Sequence, residues 1–438
     1  MRKAAGAEYG AIRRTIVQSA FRERYMAAQD FTVNEIEKIV LNVPFHPRCE
    51  KTMTIFGLGW SIVELVKVTT GAGVVGVGET IQGYTWGRSG EAQFAKVRGK
   101  NLFDHLWDDS LGAGLQMALF DAAGKQLGVP CHRLLGVQHR DACPVSWWAQ
   151  TMPPQEWATE ARAAEKHGFT TMKMKARPWF DIDAQLTTVG EAVSPHFKLD
   201  TDFNELLLGV DLAAPLIARL EEKHRNLAIL ESPIPQGDVA GNVLLRQKVR
   251  SPIAMHMGNP PVMTAIREGV CDGFVIGGGA RRTVSDGILA ERAQMPFWLQ
   301  MVGTGLTTTF AVHLGAVLVQ ARWPAIPCIN IYSHTLLKEF EVVGGHIRVP
   351  QAPGLGVELD WDVVENCRVE PDFKKESPRQ IHTIYYPDGH EMAYPDGGYR
   401  GEFLTGKLSG FLPGIGAEFR LDDGSEEFDR EYRELFAG

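Results

Sequence analysis

The 438-residue chain is 44% apolar and 22% charged, with a formal net charge of -8 at pH 7. That composition excludes a disordered, collagen-like or coiled-coil chain, and the acidic balance removes the electrostatic case for nucleic-acid binding. The longest apolar stretch, 311–321, is broken by His313 and Gln320 and falls short of the roughly 20 residues of a membrane span.

The length suggests two or three folded units. Six cysteines without CxxC spacing read as reduced thiols of a cytoplasm-like compartment. The first thirty residues open with a polar helical pattern. They lack the apolar region of a signal peptide, with Arg13, Arg14, Arg22 and Arg24 scattered among acids and Gln. Residues 31–43 and 61–80 alternate as strands, the second forming a hairpin that turns on 71–73. Gly71, Gly73 and Gly76 match GxGxxG, but a dinucleotide site needs a helix directly after the glycines, and VVGVGET reads as a strand. Residues 46–60 read as a solvated connection, whose Arg48, Lys51 and Trp60 could also cover an acidic substrate. Residues 106–127 place Leu111, Leu115, Ala118, Leu119 and Ala122 at helical spacing until Gly128 and Pro130 stop them.

From about 143 the period changes. Short apolar strands are predicted at 144–149, 170–175, 197–202, 228–231, 252–256, 273–276, 296–300 and 328–332. Most are spaced by roughly 20 to 30 residues, the length of one βα unit, which argues for a parallel barrel with its chemistry at the C-terminal strand ends. Beyond Pro371, YYPDG (385–389) and AYPDGG (393–398) signal a hairpin, and the acidic end reads as a solvated helix.

In MKMK, Lys173 and Lys175 share one strand face. Each depresses the other's pKa, and a lysine so depressed can act as a general base; the alternative is an edge strand with solvated lysines. Asp202, Glu231 and His256 each end a predicted strand. Two carboxylates at one mouth repel unless protonated or bridged by a cation, for which a hard divalent ion such as Mg²⁺ is suited. Asn204 faces the same way as Asp202, and Asp200 is the second choice of ligand. For each acid taken singly, an ion pair or helix cap is an equal explanation.

In combination these motifs resemble the enolase superfamily, in its mandelate racemase and muconate lactonizing enzyme branch, over roughly residues 31–370. GLQMALFDAAGKQLGVPCHRLLG (114–136) is similar to the family's helix pattern. MKMK is similar to its KxK strand, DFN (202–204) to its DxN strand, LESPIP (230–235) to its glutamate strand, and VPQAPGLGVELD (349–360) to the segment returning to the cap. The resemblance implies an α/β fold: a modified TIM barrel, (β/α)₇β, with an N-terminal α+β capping domain. The expected units are an extension and cap (1–140), the barrel (141–345), and a returning segment with a hairpin-rich extension (346–438). It further implies a Mg²⁺-assisted abstraction of the proton α to a carboxylate. Asp202 and Glu231 become ligands, Lys175 the base, Lys173 the neutraliser of the substrate carboxylate, and 46–60 a specificity loop. A homo-oligomer is implied as well.

Three positions depart from the pattern. The third ligand strand ends in His256, either a ligand or a neighbour of the metal, and a nitrogen donor could favour Mn²⁺, Fe²⁺ or Zn²⁺. DGFVIGGG lacks the lysine of cycloisomerase-like members. PFWLQ carries Trp298 and Gln300 where racemase-like members place a histidine, which makes these two, with Asn204, candidate substrate contacts. With one face equipped, the expected reaction is dehydration of an acid sugar, a small hydroxy-carboxylate, to a 2-keto-3-deoxy acid. The alternatives are a racemase, epimerase or cycloisomerase, and a catalytically degraded binding or structural member.

Overall fold

Three antiparallel strands, β1 (Val33–Asn42), β2 (Ile62–Thr70) and β3 (Val75–Ile81), form the N-terminal sheet of the computed structural model, which describes residues 30–84 and 86–437. The polar helical pattern expected before residue 30 lies outside the described residues. The β2–β3 hairpin turns where the glycines place it, with Gly73 at φ +78°. Gly76 and Gly78 serve packing rather than a nucleotide. A Cβ on Gly76 would lie 2.1 Å from the Ala118 carbonyl oxygen, and one on Gly78 2.2 Å from that of Gly114. Bare backbone therefore lets the helix Ala113–Leu127 lie directly on the strand. This helix begins later than its apolar spacing suggests, because Gly112 at φ +82° interrupts the chain after short 3₁₀ turns. Buried Asp121 then accepts from the backbone N–H groups of Val77 and Leu355, each at 2.8 Å. One carboxylate so ties helix, sheet and returning segment together.

The connection expected at 46–60 is itself structured. It contains the helix Glu50–Phe56, because Cys49, Met53 and Phe56 fall at helical spacing and Cys49 and Met53 are buried.

The barrel strands follow. β4 (Ala142–Pro144) is a short lead-in; β5 (Trp147–Ala149), β6 (Thr171–Lys175), β7 (Lys198–Asp202), β8 (Leu227–Glu231), β9 (Ile253–His256), β10 (Gly273–Ile276) and β11 (Phe297–Leu299) form one parallel, curled sheet in chain order. The strand expected at 328–332 is not one. Cys328 takes a left-handed φ of +55° and Ile329–Ile331 winds as a 3₁₀ turn. The seam is filled instead by Ala325 and Ile326, which bridge in parallel to Val145 and Gln300. The Asn330 amide accepts from the Trp148 N–H at 3.0 Å and donates to the Trp148 carbonyl at 2.8 Å. A side chain thus satisfies the β5 backbone groups that an eighth strand would have paired. The result is an α/β, TIM-barrel-like fold with an N-terminal cap.

After β12 (His346–Arg348) the chain returns to the cap, where β13 (Arg368–Val369) adds to β1. It then forms an antiparallel sheet of β14 (Gln380–Tyr385), β15 (Glu391–Tyr394) and β16 (Gly416–Leu421). The first Pro-Asp-Gly turn closes the expected hairpin; the second leads into the helix Tyr399–Leu404. The final helix, Glu426–Ala437, is only partly solvated: Phe428 is buried and stacks on Tyr432, with the Arg379 guanidinium over both rings. Among the described residues no helix is long and apolar enough to cross a membrane.

Candidate active site

Parallel register sets the site. Lys175 on β6 pairs with Asp202 on β7, and Asp202 with Glu231 on β8, so three strand ends deliver three charged groups to one level. Lys173, one layer deeper and fully buried, contacts Glu231, lies 3.4 Å from Asp202 Oδ2, and donates to Gln300 Oε1 at 2.7 Å. Lys175 Nζ lies 2.5 Å from Asp202 Oδ2 and 3.2 Å from Asn204 Oδ1. His256, at the end of β9, approaches Glu231 Oε1 with Nε2 at 3.1 Å. Asn204 and Ser232, just past the two carboxylates, take left-handed φ values of +45° and +44°. Such strain costs about 1 to 3 kcal/mol per residue and collects at functional sites.

The electrostatics separate the two lysines. Burial pulls Lys173 down, but Glu231 and Asp202 outweigh it and hold its pKa above the ordinary lysine range. Lys175 is shifted down, first by burial and then, against the pull of Asp202, by the Lys173 charge. The expected mutual depression therefore acts on one lysine only. Burial opposes ionisation of Asp202, yet Lys175, Lys173 and Arg177 together depress its pKa strongly. Asp200 sits deeper, and burial raises it to about 7, with Glu231 adding to the rise.

Of the three candidate substrate contacts, Asn204 and Gln300 lie at the mouth in direct contact with the lysines. Trp298 is fully buried, its ring 5.4 Å from the Lys173 ammonium. The opposite wall is the end of β10, where Ile276, Gly277 and Gly278 carry no titratable group; a Cβ on Gly277 would lie 2.5 Å from the Gln300 carbonyl oxygen. A cleft of about 280 Å³ opens there, lined by Tyr84, His256, Arg282 and Gln300 among others. In the 46–60 segment, Trp60 packs on Tyr84 and Trp148, while Arg48 is engaged by Glu160 at 3.0 Å.

Two site residues escaped sequence reasoning. Arg177 is buried and donates to Asn204 Oδ1 at 2.6 Å and to the Asp202 carbonyl at 3.2 Å. Its signal was present, because Lys173, Lys175 and Arg177 recur at every second position. Tyr84, reached by the Gln300 amide at 2.5 Å, comes from the cap, and no local pattern announced it.

Asp202, Glu231 and His256 have the donor chemistry for a divalent ion, two buried carboxylates with an imidazole beside one of them. Among the described residues, however, no three His, Cys, Asp or Glu side chains are already set around an ion. Lys173 contacts both carboxylates and supplies the bridging positive charge.

Residues 156–363 match the family model described as enolase C-terminal domain-like. A muconate cycloisomerase of Acinetobacter lwoffii is 24% identical over 78% of this chain and 97% of its own length. A D-xylonate dehydratase of Haloferax volcanii is 26% identical over 70% of this chain and 85% of its own. The crystal structure of muconate cycloisomerase from Pseudomonas fluorescens superposes with a TM-score of 0.63 at 23% identity, covering 78% of this chain and 99% of that one. Over residues 156–363 the chain thus carries an enolase C-terminal-like domain, and the muconate cycloisomerase, racemase and sugar dehydratase relatives to which it is similar all fall in the mandelate racemase/muconate lactonizing enzyme branch of the enolase superfamily.

Proposed function

We propose that the protein removes the proton α to the carboxylate of a small hydroxy acid and dehydrates an acid sugar to a 2-keto-3-deoxy acid. The observation that carries this reading is the asymmetry of the mouth. Lys175, with its lowered pKa, equips one side, while Ile276, Gly277 and Gly278 leave the opposite strand end without a proton donor. Lys175 takes the α-proton at Nζ. Lys173, held cationic by Glu231, offsets the charge of the substrate carboxylate, and Gln300 and Tyr84 fix the position of its ammonium. Asn204 holds Lys175 in reach, and the protonated Lys175 can return its proton to the departing β-hydroxyl. Asp202 and Glu231, with His256, would hold a divalent ion such as Mg²⁺ or Mn²⁺, which when bound supplies a Lewis acid against the substrate carboxylate. On the same reading, 1–140, 141–345 and 346–438 are the three units of the chain, and the relative named D-xylonate dehydratase supports the lyase assignment.

A second reading, an isomerase, is favoured by the half-exposed His256 facing the cleft and by the relative named muconate cycloisomerase. Turnover of a sugar-acid library in D₂O separates the two. Dehydration gives keto product and leaves recovered substrate in its original configuration. Accumulation of the α-epimer without keto product transfers the protein to the isomerases.

A further inference from the structure

The C-terminal unit built on the β14–β16 sheet, with the helix Tyr399–Leu404 and the connection to β16, contributes none of the site hydrogen bonds described above, yet it touches three segments around the mouth. The first is the loop following Lys175. Trp179 meets Tyr399 edge to face, with ring centroids 4.9 Å apart, and Phe180 meets Phe419 at 6.1 Å. Backbone bonds lock this contact: Phe411 N–H to the Pro178 carbonyl at 2.7 Å and Asp181 N–H to that of Ile415 at 3.0 Å. Asp181 also accepts from the Gly414 N–H at 2.8 Å, while its other oxygen caps the helix Ile182–Ala192. The second segment follows Asp202, where Phe203 packs on Phe411 at 5.8 Å. The third is the cap segment 46–60, whose Phe56 sits against Phe419 at 5.1 Å and 87° and against His382 at 5.9 Å.

One ring, that of Phe419, therefore touches both the cap segment and the loop behind Lys175. Together with Trp179, Phe180, Tyr399 and Phe403 it forms a small core separate from that of the barrel. Aromatic edge-to-face pairs contribute about 0.5 to 1.5 kcal/mol each beyond their buried area, and a core packed this closely transmits displacement rather than absorbing it.

We infer that the C-terminal sheet is a brace across the barrel mouth, with Phe419 as the positioning residue that fixes the cap segment 46–60 relative to the loop carrying Trp179 and Phe180. What it positions rests on the proposed reaction: the spacing of these two loops limits the length of acid admitted beside Lys175. The brace makes no contact with the reacting atoms.

The test uses the full chain with Phe419→Ala, the milder Phe419→Leu, and Phe56→Leu, which approaches the same contact from the cap side. Amide hydrogen exchange is read without substrate. Phe419→Ala should speed exchange in 50–57 and 176–181 together by about tenfold or more, leaving β1 and β2 unchanged. Loosening confined to 380–421 in all three variants would overturn the brace. With sugar acids of increasing length, kcat/KM for long over short acids should shift about tenfold, and Phe419→Leu and Phe56→Leu should be non-additive. A proportional loss on every acid would show a merely structural role and overturn the selectivity. Exchange decides the brace even where no sugar acid is turned over, so its failure is distinguishable from failure of the proposed reaction.

Discussion

Lys175 and Asp202 are register partners on adjacent parallel strands, and their side chains meet at 2.5 Å. The contact follows from two short strands having the same length and the same phase, with no loop involved. Strand pairing thus fixes both the reach of the ammonium and the charge that balances it, and substitution at either position changes the other.

Lys175→Ala should abolish exchange of the α-proton of an active acid in D₂O, by about 10² to 10⁴-fold if a single general base is lost. Its fold should stay intact by circular dichroism, with a lowered melting temperature, because Asp202 keeps only Lys173 and Arg177 as balancing charges. NMR of the recovered substrate reads the exchange, and near-normal exchange removes Lys175 from the mechanism.

Asp202→Asn should act on stability as well as on metal binding. It strips Lys173, Lys175 and Arg177 of their shared carboxylate, and breaking a buried charge cluster on one side costs about 3 to 5 kcal/mol. Urea titration of metal-free protein measures that cost. Elemental analysis after dialysis against Mg²⁺ or Mn²⁺ should show lowered metal content for Asp202→Asn and Glu231→Gln, and a smaller loss for His256→Ala. An unchanged content in both acid variants would end the ligand assignment.

Gly76→Ala should destabilise the cap, because its new Cβ would meet the Ala118 carbonyl at 2.1 Å and either strand or helix must move. Overpacking of this kind costs about 1 to 3 kcal/mol, read as a lowered melting temperature. Gly73→Ala is the comparison: no atom lies within 4 Å of its Cβ, so only the positive φ penalises it.

Acid should weaken the fold through His313. Burial lowers its pKa to about 4 from 6.5. Nδ1 accepts from the His132 N–H at 3.3 Å while Nε2 faces the Leu355 carbonyl at 3.0 Å, a pairing that only the neutral ring satisfies. The unfolded chain takes up this proton first. The contribution is therefore complete above pH 6.5, declines as the pH falls, and is lost at about pH 4, amounting to about 3 kcal/mol. Urea midpoints from pH 4.5 to 7 should fall less steeply in His313→Gln than in the parent.

Much of this architecture was legible in the chain because its signals are local. MKMK, DFN and LESPIP each carry their charged residues at the end of an apolar strand, and strands in register bring those ends together. The eighth strand was misread for an equally local reason: CINIY is as apolar as its neighbours, and nothing in it announces that Cys328 turns left-handed or that Asn330 pairs with Trp148 through its side chain. The glycines at 76 and 78 were read correctly as strand, but the helix that needs them lies some forty residues on. Tyr84 and Phe419 were invisible because their roles depend on contacts between distant segments.

The closure of the barrel at Ala325, Ile326 and Asn330 gives the ring a clasp. The other junctions are strand ladders; here scattered backbone bonds, among them those donated by Ser146, Ala325, Ile326 and Trp323, are joined by the Asn330 amide, which pairs with Trp148. One edge of the ring thus rests on a side chain, Asn330, where its neighbours rest on paired backbone. Cys328 lies within this clasp, buried and close enough to feel the charges of Lys173 and Lys175, so parting there would let water reach the lysines from behind.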